Sequence, residues 1–136
     1  MTPEQHFAKY KALREKADAS QAADDAWEVV LRFYAALHLV DAWLTQKRDK
    51  GQKALADYAP TDHSKRRAAI RSALGHQPGG LKFLLREYDA LKGLSEAQRY
   101  TSPIDVPVDQ REKARGLLTK IEAMLTGLVE RELEEK

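Results

Sequence analysis

The chain has 136 residues, 43% hydrophobic and 32% charged, with 23 Lys/Arg against 21 Asp/Glu and no cysteine. Such a length fits one domain that buries roughly two-thirds of its unfolded surface, and the missing cysteine excludes thiol catalysis, cysteine–zinc sites and a disulfide framework. Charge is uneven: residues 1–46 carry five Lys/Arg against seven Asp/Glu, residues 47–86 ten against three, and residues 87–136 eight against eleven, so the middle third is the basic one.

The amino terminus, MTPEQHFAKYKALREK, is charged and lacks the apolar run of a signal peptide, so a cytoplasmic location is expected. Thr2-Pro3-Glu4-Gln5 reads as a helix start, with Thr2 as N-cap, Pro3 in the first position and Gln5 closing a capping box. Phe7, Tyr10, Leu13 and Ala17 form one apolar stripe, predicting an amphipathic helix to about Ala19. Ser20 or Asp24 then caps a second helix, with Asp24, Asp25 and Glu28 favourably placed on its dipole.

That second helix, Trp27 to Leu44, is apolar almost all the way round. Val29, Phe33, Ala36, Val40 and Trp43 make one stripe, and Trp27, Val30, Leu31, Tyr34 and Leu37 another. A helix hydrophobic on every side belongs inside a bundle. Glu28, Arg32, His38 and Asp41 within it argue against a membrane span.

Gly51 and Pro60 mark a loop from Lys47 to Pro60, with room for a short helix at Gln52–Tyr58. Thr61 or Asp62 caps a helix with Ile70, Ala73 and Leu74 on its inner face, and His76-Gln77-Pro78-Gly79-Gly80 is turn chemistry. Leu81, Leu84, Leu85, Tyr88, Leu91 and Leu94 or Ser95 predict the next helix. Tyr100 to Val108, with two prolines, reads as extended. Asp109, with Glu112 at the capping-box position, starts a last helix whose stripe is Ala114, Leu117, Leu118, Ile121, Leu125, Leu128 and Val129, followed by a frayed ELEEK tail. The fold class is therefore all-α, an antiparallel up-and-down bundle of four to five helices in a single domain over residues 1–136.

Several of these words resemble the HEPN superfamily. They are FYAALHLVDAWL in the central helix, His63-Ser64-Lys65-Arg66, and Tyr88-Asp89-Ala90-Leu91 leading to Ser95-Glu96-Ala97-Gln98-Arg99-Tyr100; the similarity covers roughly residues 22–130. The resemblance implies an up-and-down helical bundle, commonly a homodimer, and for many members metal-independent ribonuclease activity in toxin–antitoxin, phage-defence or RNA-processing systems; other members are non-catalytic. Its nuclease signature, Arg followed four to six residues later by His, is met by Arg32 and His38 in RFYAALH. By that resemblance His38 would be the acid–base group toward the ribose 2′-hydroxyl or the leaving oxygen, and Arg32 would stabilise the phosphate charge.

The residues also admit a plainer reading. Arg32 and His38 lie about 120° apart round a helix, whereas Tyr34, His38 and Asp41 align more closely. Such a polar string suits a buried network in which His38 bonds Asp41, Tyr34 or a group on another helix and fixes helix register. Arg99 and Tyr100 suit either capping of the fourth helix or support of the His38 cluster. His38 and Asp41 with His63 fall short of a metal signature, so no metal and no cofactor are expected. Lys65, Arg66, Arg67 and Arg71, beside His63 and flanked by Lys47, Arg48, Lys50, Lys53, Lys82 and Arg86, form either a solvated face or a phosphate-tracking surface. The expected partners are accordingly a second copy of the chain, RNA, and an antitoxin or other partner protein, with no membrane. The competing function is a non-catalytic dimeric module that binds a protein, nucleotide or nucleic acid through its basic 47–86 face.

Overall fold

The computed structural model describes residues 2–23, 25, 27–46, 63–74, 81, 83–100 and 108–134, the side chains of 98–100 excepted. These form five helices in chain order, α1 (Pro3–Ala22), α2 (Glu28–Thr45), α3 (His63–Leu74), α4 (Leu84–Tyr100) and α5 (Val108–Glu134), with no strand among the described residues. The protein is an all-α helical bundle. No helix among the described residues is long and apolar enough to cross a membrane.

Helix α1 starts with the capping box its sequence predicts. The Gln5 backbone N–H donates to Thr2 Oγ1 at 3.1 Å, and the Thr2 N–H donates to Gln5 Oε1 at 2.8 Å. Two donors that the helix leaves unpaired are thereby satisfied. Phe7, Tyr10 and Ala17 are buried, with Leu13 partly so.

Helix α2 is the axis of the bundle, and fifteen of its eighteen residues are buried. One chain covers it on all sides with α1, α3, α4 and α5. Its start differs from the sequence reading. Trp27 sits at the N-cap with no capping bond from its own side chain and is 56% exposed, while its backbone N–H donates to Asp25 Oδ1 at 3.0 Å. Ser20 lies inside α1 rather than capping α2, and Asp24 lies outside the described residues.

Polar pairs fix how the helices run. Arg32 meets Asp18 and His38 meets His6, so α1 is antiparallel to α2; Glu28 meets Arg115 and Gln46 Nε2 donates to the Val129 carbonyl at 3.0 Å, so α5 runs parallel to α2. A further tie joins α1 to α5, where Tyr10 donates to Glu122 and Arg14 pairs with the same carboxylate at 3.1 Å. Burial, then this carboxylate, pushes the Tyr10 phenol well above its ordinary range.

In α4 the inner register is Leu84, Tyr88, Leu91 and Ser95, all fully buried, with Leu81 buried just ahead of the helix and Leu94 only partly covered. Ser95 Oγ has no hydrogen-bond partner there. Helix α5 starts two residues earlier than its sequence suggests, at Val108 rather than Gln110, which puts Asp109 in the first turn, and it remains helical through Glu134. Its buried face is Ala114, Leu117, Leu118, Ile121, Leu125 and Val129. The Gln52–Tyr58 helix, the Thr61 or Asp62 cap, the turn at 76–80 and the extended stretch 101–107 lie outside the described residues.

Candidate functional site

Two polar clusters interrupt the apolar core, and each takes one member of the Arg32/His38 pair. Arg32 is buried near the start of α2. Its Nη1 donates to Asp18 Oδ1 at 2.9 Å, its Nη2 to Gln21 Oε1 at 2.9 Å, and its Nε to Glu28 Oε2 at 3.2 Å. Glu28 is itself fully buried and also accepts from Arg115 on α5, Nε to Oε2 at 2.5 Å and Nη2 to Oε1 at 2.8 Å. Burial raises the Glu28 pKa, but the hydrogen bonds and charges of Arg115 and Arg32 outweigh it and leave the pKa lowered. Every contact of Arg32 is structural, and none is with His38.

His38 lies on a different part of α2, against α1. Its Nδ1 is 3.0 Å from Nδ1 of His6, with ring centroids 5.3 Å apart, and the pair is partly buried. One ring must donate while the other accepts, so at this geometry the two cannot both be protonated. Burial first, then the neighbouring His6 ring, pushes the His38 pKa down to about 4. Asp41 opposes this shift, while Lys9 and Arg66 reinforce it. Burial lowers the His6 pKa too, opposed by Asp41 and helped by the amino-terminal charge and Arg66. Both imidazoles are therefore neutral at pH 7. Lys9, exposed on α1, is close enough for its charge to act on His38.

One turn from His38, Asp41 accepts a bidentate pair from Arg66 of α3, Nε to Oδ1 at 2.8 Å and Nη2 to Oδ2 at 3.0 Å, and both partners are buried. Burial opposes the Arg66 charge, but Asp41 and then the Tyr88 hydroxyl more than restore it. That hydroxyl also lies 3.2 Å from His63 Nδ1, and Phe33 packs against both the His63 and Tyr88 rings. The cluster thus draws together the three words that carry the family resemblance. His38 and Asp41 come from the first, His63 and Arg66 from the second, and Tyr88 from the third. Tyr34 is partly buried beside Phe33. Arg99 and Tyr100 fall in the last turn of α4, and their side chains lie outside the described residues.

The basic face is smaller in space than in sequence. Arg66 is spent on Asp41, and Arg67 makes its own bidentate pair with Asp89 at 3.0 Å. Arg86 lies against Glu87 at 2.7 Å and over the Phe83 ring at 4.2 Å. Lys65 and Arg71 remain exposed on α3. Lys47, Arg48, Lys50, Lys53 and Lys82 lie outside the described residues.

Sequence reasoning missed His6 and Lys9. Nothing local pairs position 6 with a residue 32 places away, although His6 does sit beside the α1 stripe that faces α2. Among the described residues no group of three His, Asp or Glu is placed to hold a metal. Compared with known proteins, the chain matches no family model, no curated sequence and no solved structure.

Proposed function

We propose that this is a HEPN-like, RNA-directed helical protein of the toxin–antitoxin or phage-defence kind, acting as a metal-independent ribonuclease with His38 as its acid–base group. The observation that carries this reading is the His38 imidazole itself. It is neutral at pH 7, partly buried, bonded on one nitrogen by His6 and within the electrostatic reach of the exposed Lys9. A neutral imidazole can take the proton of a ribose 2′-hydroxyl as that oxygen attacks phosphorus, then return it to the departing 5′-oxygen. Lys9 supplies positive charge for the phosphate in place of Arg32, whose donors are occupied.

The test is labelled RNA incubated with pure protein in EDTA. The expected result is cutting that leaves 2′,3′-cyclic phosphate ends, spares DNA for want of a 2′-hydroxyl, and disappears in His38→Ala. RNA left intact by the wild-type protein would overturn the nuclease reading.

A second reading, a non-catalytic homodimeric module that binds a partner protein, nucleotide or nucleic acid through its basic face, is favoured by the pairing of Arg32 with Asp18 and Glu28, which takes the arginine out of the Arg/His signature. RNA held by that face, where Arg71 is exposed, would bind less tightly as salt rises and counterions are released. Charge reversal at Arg71 is expected to weaken binding and flatten its salt dependence; unchanged affinity would count against the face. Light scattering tests the dimer, and a 15.4 kDa particle at micromolar concentration would contradict it.

A further inference from the structure

His6 is the one titratable group bonded directly to the proposed acid–base residue. An N···N hydrogen bond of 3.0 Å holds a single proton between two Nδ1 atoms, so the pair has two states. In one, His38 carries Nδ1–H and presents a bare Nε2. In the other, His6 carries Nδ1–H and His38 must hold its own proton on Nε2. The first state makes His38 a base, and the second makes it an acid. With Nδ1 occupied by His6, Nε2 is the ring nitrogen left to meet a substrate.

We infer that His6 is the positioning residue of this site: it sets the tautomer of His38 and takes up a proton across the Nδ1–Nδ1 contact while His38 holds the substrate's proton on Nε2. This rests on the ribonuclease reading. The step balances. The 2′-hydroxyl proton passes to His38 Nε2 as the bond from the 2′-oxygen to phosphorus forms, and the His38 Nδ1 proton moves to His6. The bond from phosphorus to the 5′-oxygen then breaks, the leaving oxygen takes the Nε2 proton, and the Nδ1 proton returns. The products are a 2′,3′-cyclic phosphate and a 5′-hydroxyl, with both rings neutral as at the start.

The surroundings suit a transient charge on this pair. Asp41 acts on both rings from α2, against Lys9 on α1, the amino-terminal charge and Arg66 on α3. Burial, reinforced by the positive groups, keeps both rings neutral between turnovers, and the Asp41 carboxylate favours the brief imidazolium. Among the described residues, each ring's side-chain hydrogen bond runs to the other ring, which gives the proton a direct path between the two Nδ1 atoms.

The experiment compares wild type, His6→Ala and His6→Gln in EDTA, with cutting followed from pH 4 to 8. Gln keeps a hydrogen-bonding amide at position 6 but cannot take up a proton. In both variants kcat is expected to fall about tenfold or more with KM unchanged, and the acid limb of the profile to move to higher pH, because the His6 ring no longer depresses His38. A group that merely props the helix would leave the profile in place and would be rescued by Gln. Nitrogen-15 spectra of the wild-type rings are expected to show one proton shared between the two Nδ1 atoms. Cutting by His6→Gln with an unchanged pH profile overturns the relay alone. Intact RNA with wild-type protein overturns the ribonuclease reading, and the relay falls with it.

Discussion

The two polar clusters in α2 sit in the same helix and obey different rules. Around Glu28 every strong donor and acceptor is matched: one fully buried carboxylate holds Arg32 and Arg115, and Arg32 also holds Asp18 and Gln21. Around His38 the Asp41–Arg66 pair is equally closed, but the imidazoles beside it share one bond between them and stand partly open to solvent. A saturated cluster has no donor to offer a substrate, whereas two neutral imidazoles can still accept a proton. Polar residues in one helix therefore separate into those that fix the bundle and those that can do chemistry.

The largest expected effect lies in the saturated cluster. Glu28→Ala leaves two guanidinium groups without their buried carboxylate, which costs about 3–5 kcal/mol and lowers the melting temperature by roughly 10–15 °C for a domain of this size. Circular dichroism on heating measures it. A drop of a degree or two would erase the contrast between the clusters.

Next comes the closed half of the other cluster. Asp41→Asn strands the Arg66 charge and is expected to cost about 3 kcal/mol, while replacing both partners with apolar residues of similar volume is expected to recover most of that loss. The double variant isolates the pair from its neighbours, and a double variant as unstable as Asp41→Asn would show that Arg66 is needed for more than its charge.

The smallest effect is the pH dependence of the open half. The unfolded chain binds the His38 proton near the ordinary histidine value of about 6.5, and the folded protein only near 4. As pH falls from 6.5 toward 4 the unfolded state takes up protons first, so stability declines across that window and is fully present above it. His6, also lowered, acts in the same direction. Melts at pH 4.5 and 7.5 are expected to differ in this sense for wild type, and by less in His38→Gln.

These differences explain what the sequence could and could not reveal. Helix α2 was legible because its apolar residues occur on every face, and the start of α1 because Thr2-Pro3-Glu4-Gln5 encodes a local bond pattern. Periodicity does not mark where a helix begins, so Trp27 proves to be the N-cap of α2 rather than part of its buried face, and α5 begins two residues ahead of the start that Asp109 suggests. Glu28 and Arg32 stand at i, i+4 spacing, but that spacing does not mark the pair as buried. Arg115, however, lies 87 residues from Glu28, and His6 lies 32 from His38. Such partners depend on how α1 and α5 run beside α2, so spacing along the chain could match Arg32 with His38 while the packing gave each a different partner.

The central claim, that Arg32 belongs to the scaffold and His38 to the site, is tested most directly by the RNA-cutting rates of Arg32→Gln and His38→Gln in EDTA. They are to be compared at a temperature where circular dichroism shows both folded. Arg32→Gln, though less stable, is expected to cut within about threefold of wild type, while His38→Gln loses about 100-fold or more, the scale on which a positioned acid–base group acts. Equal losses in two folded variants would contradict it.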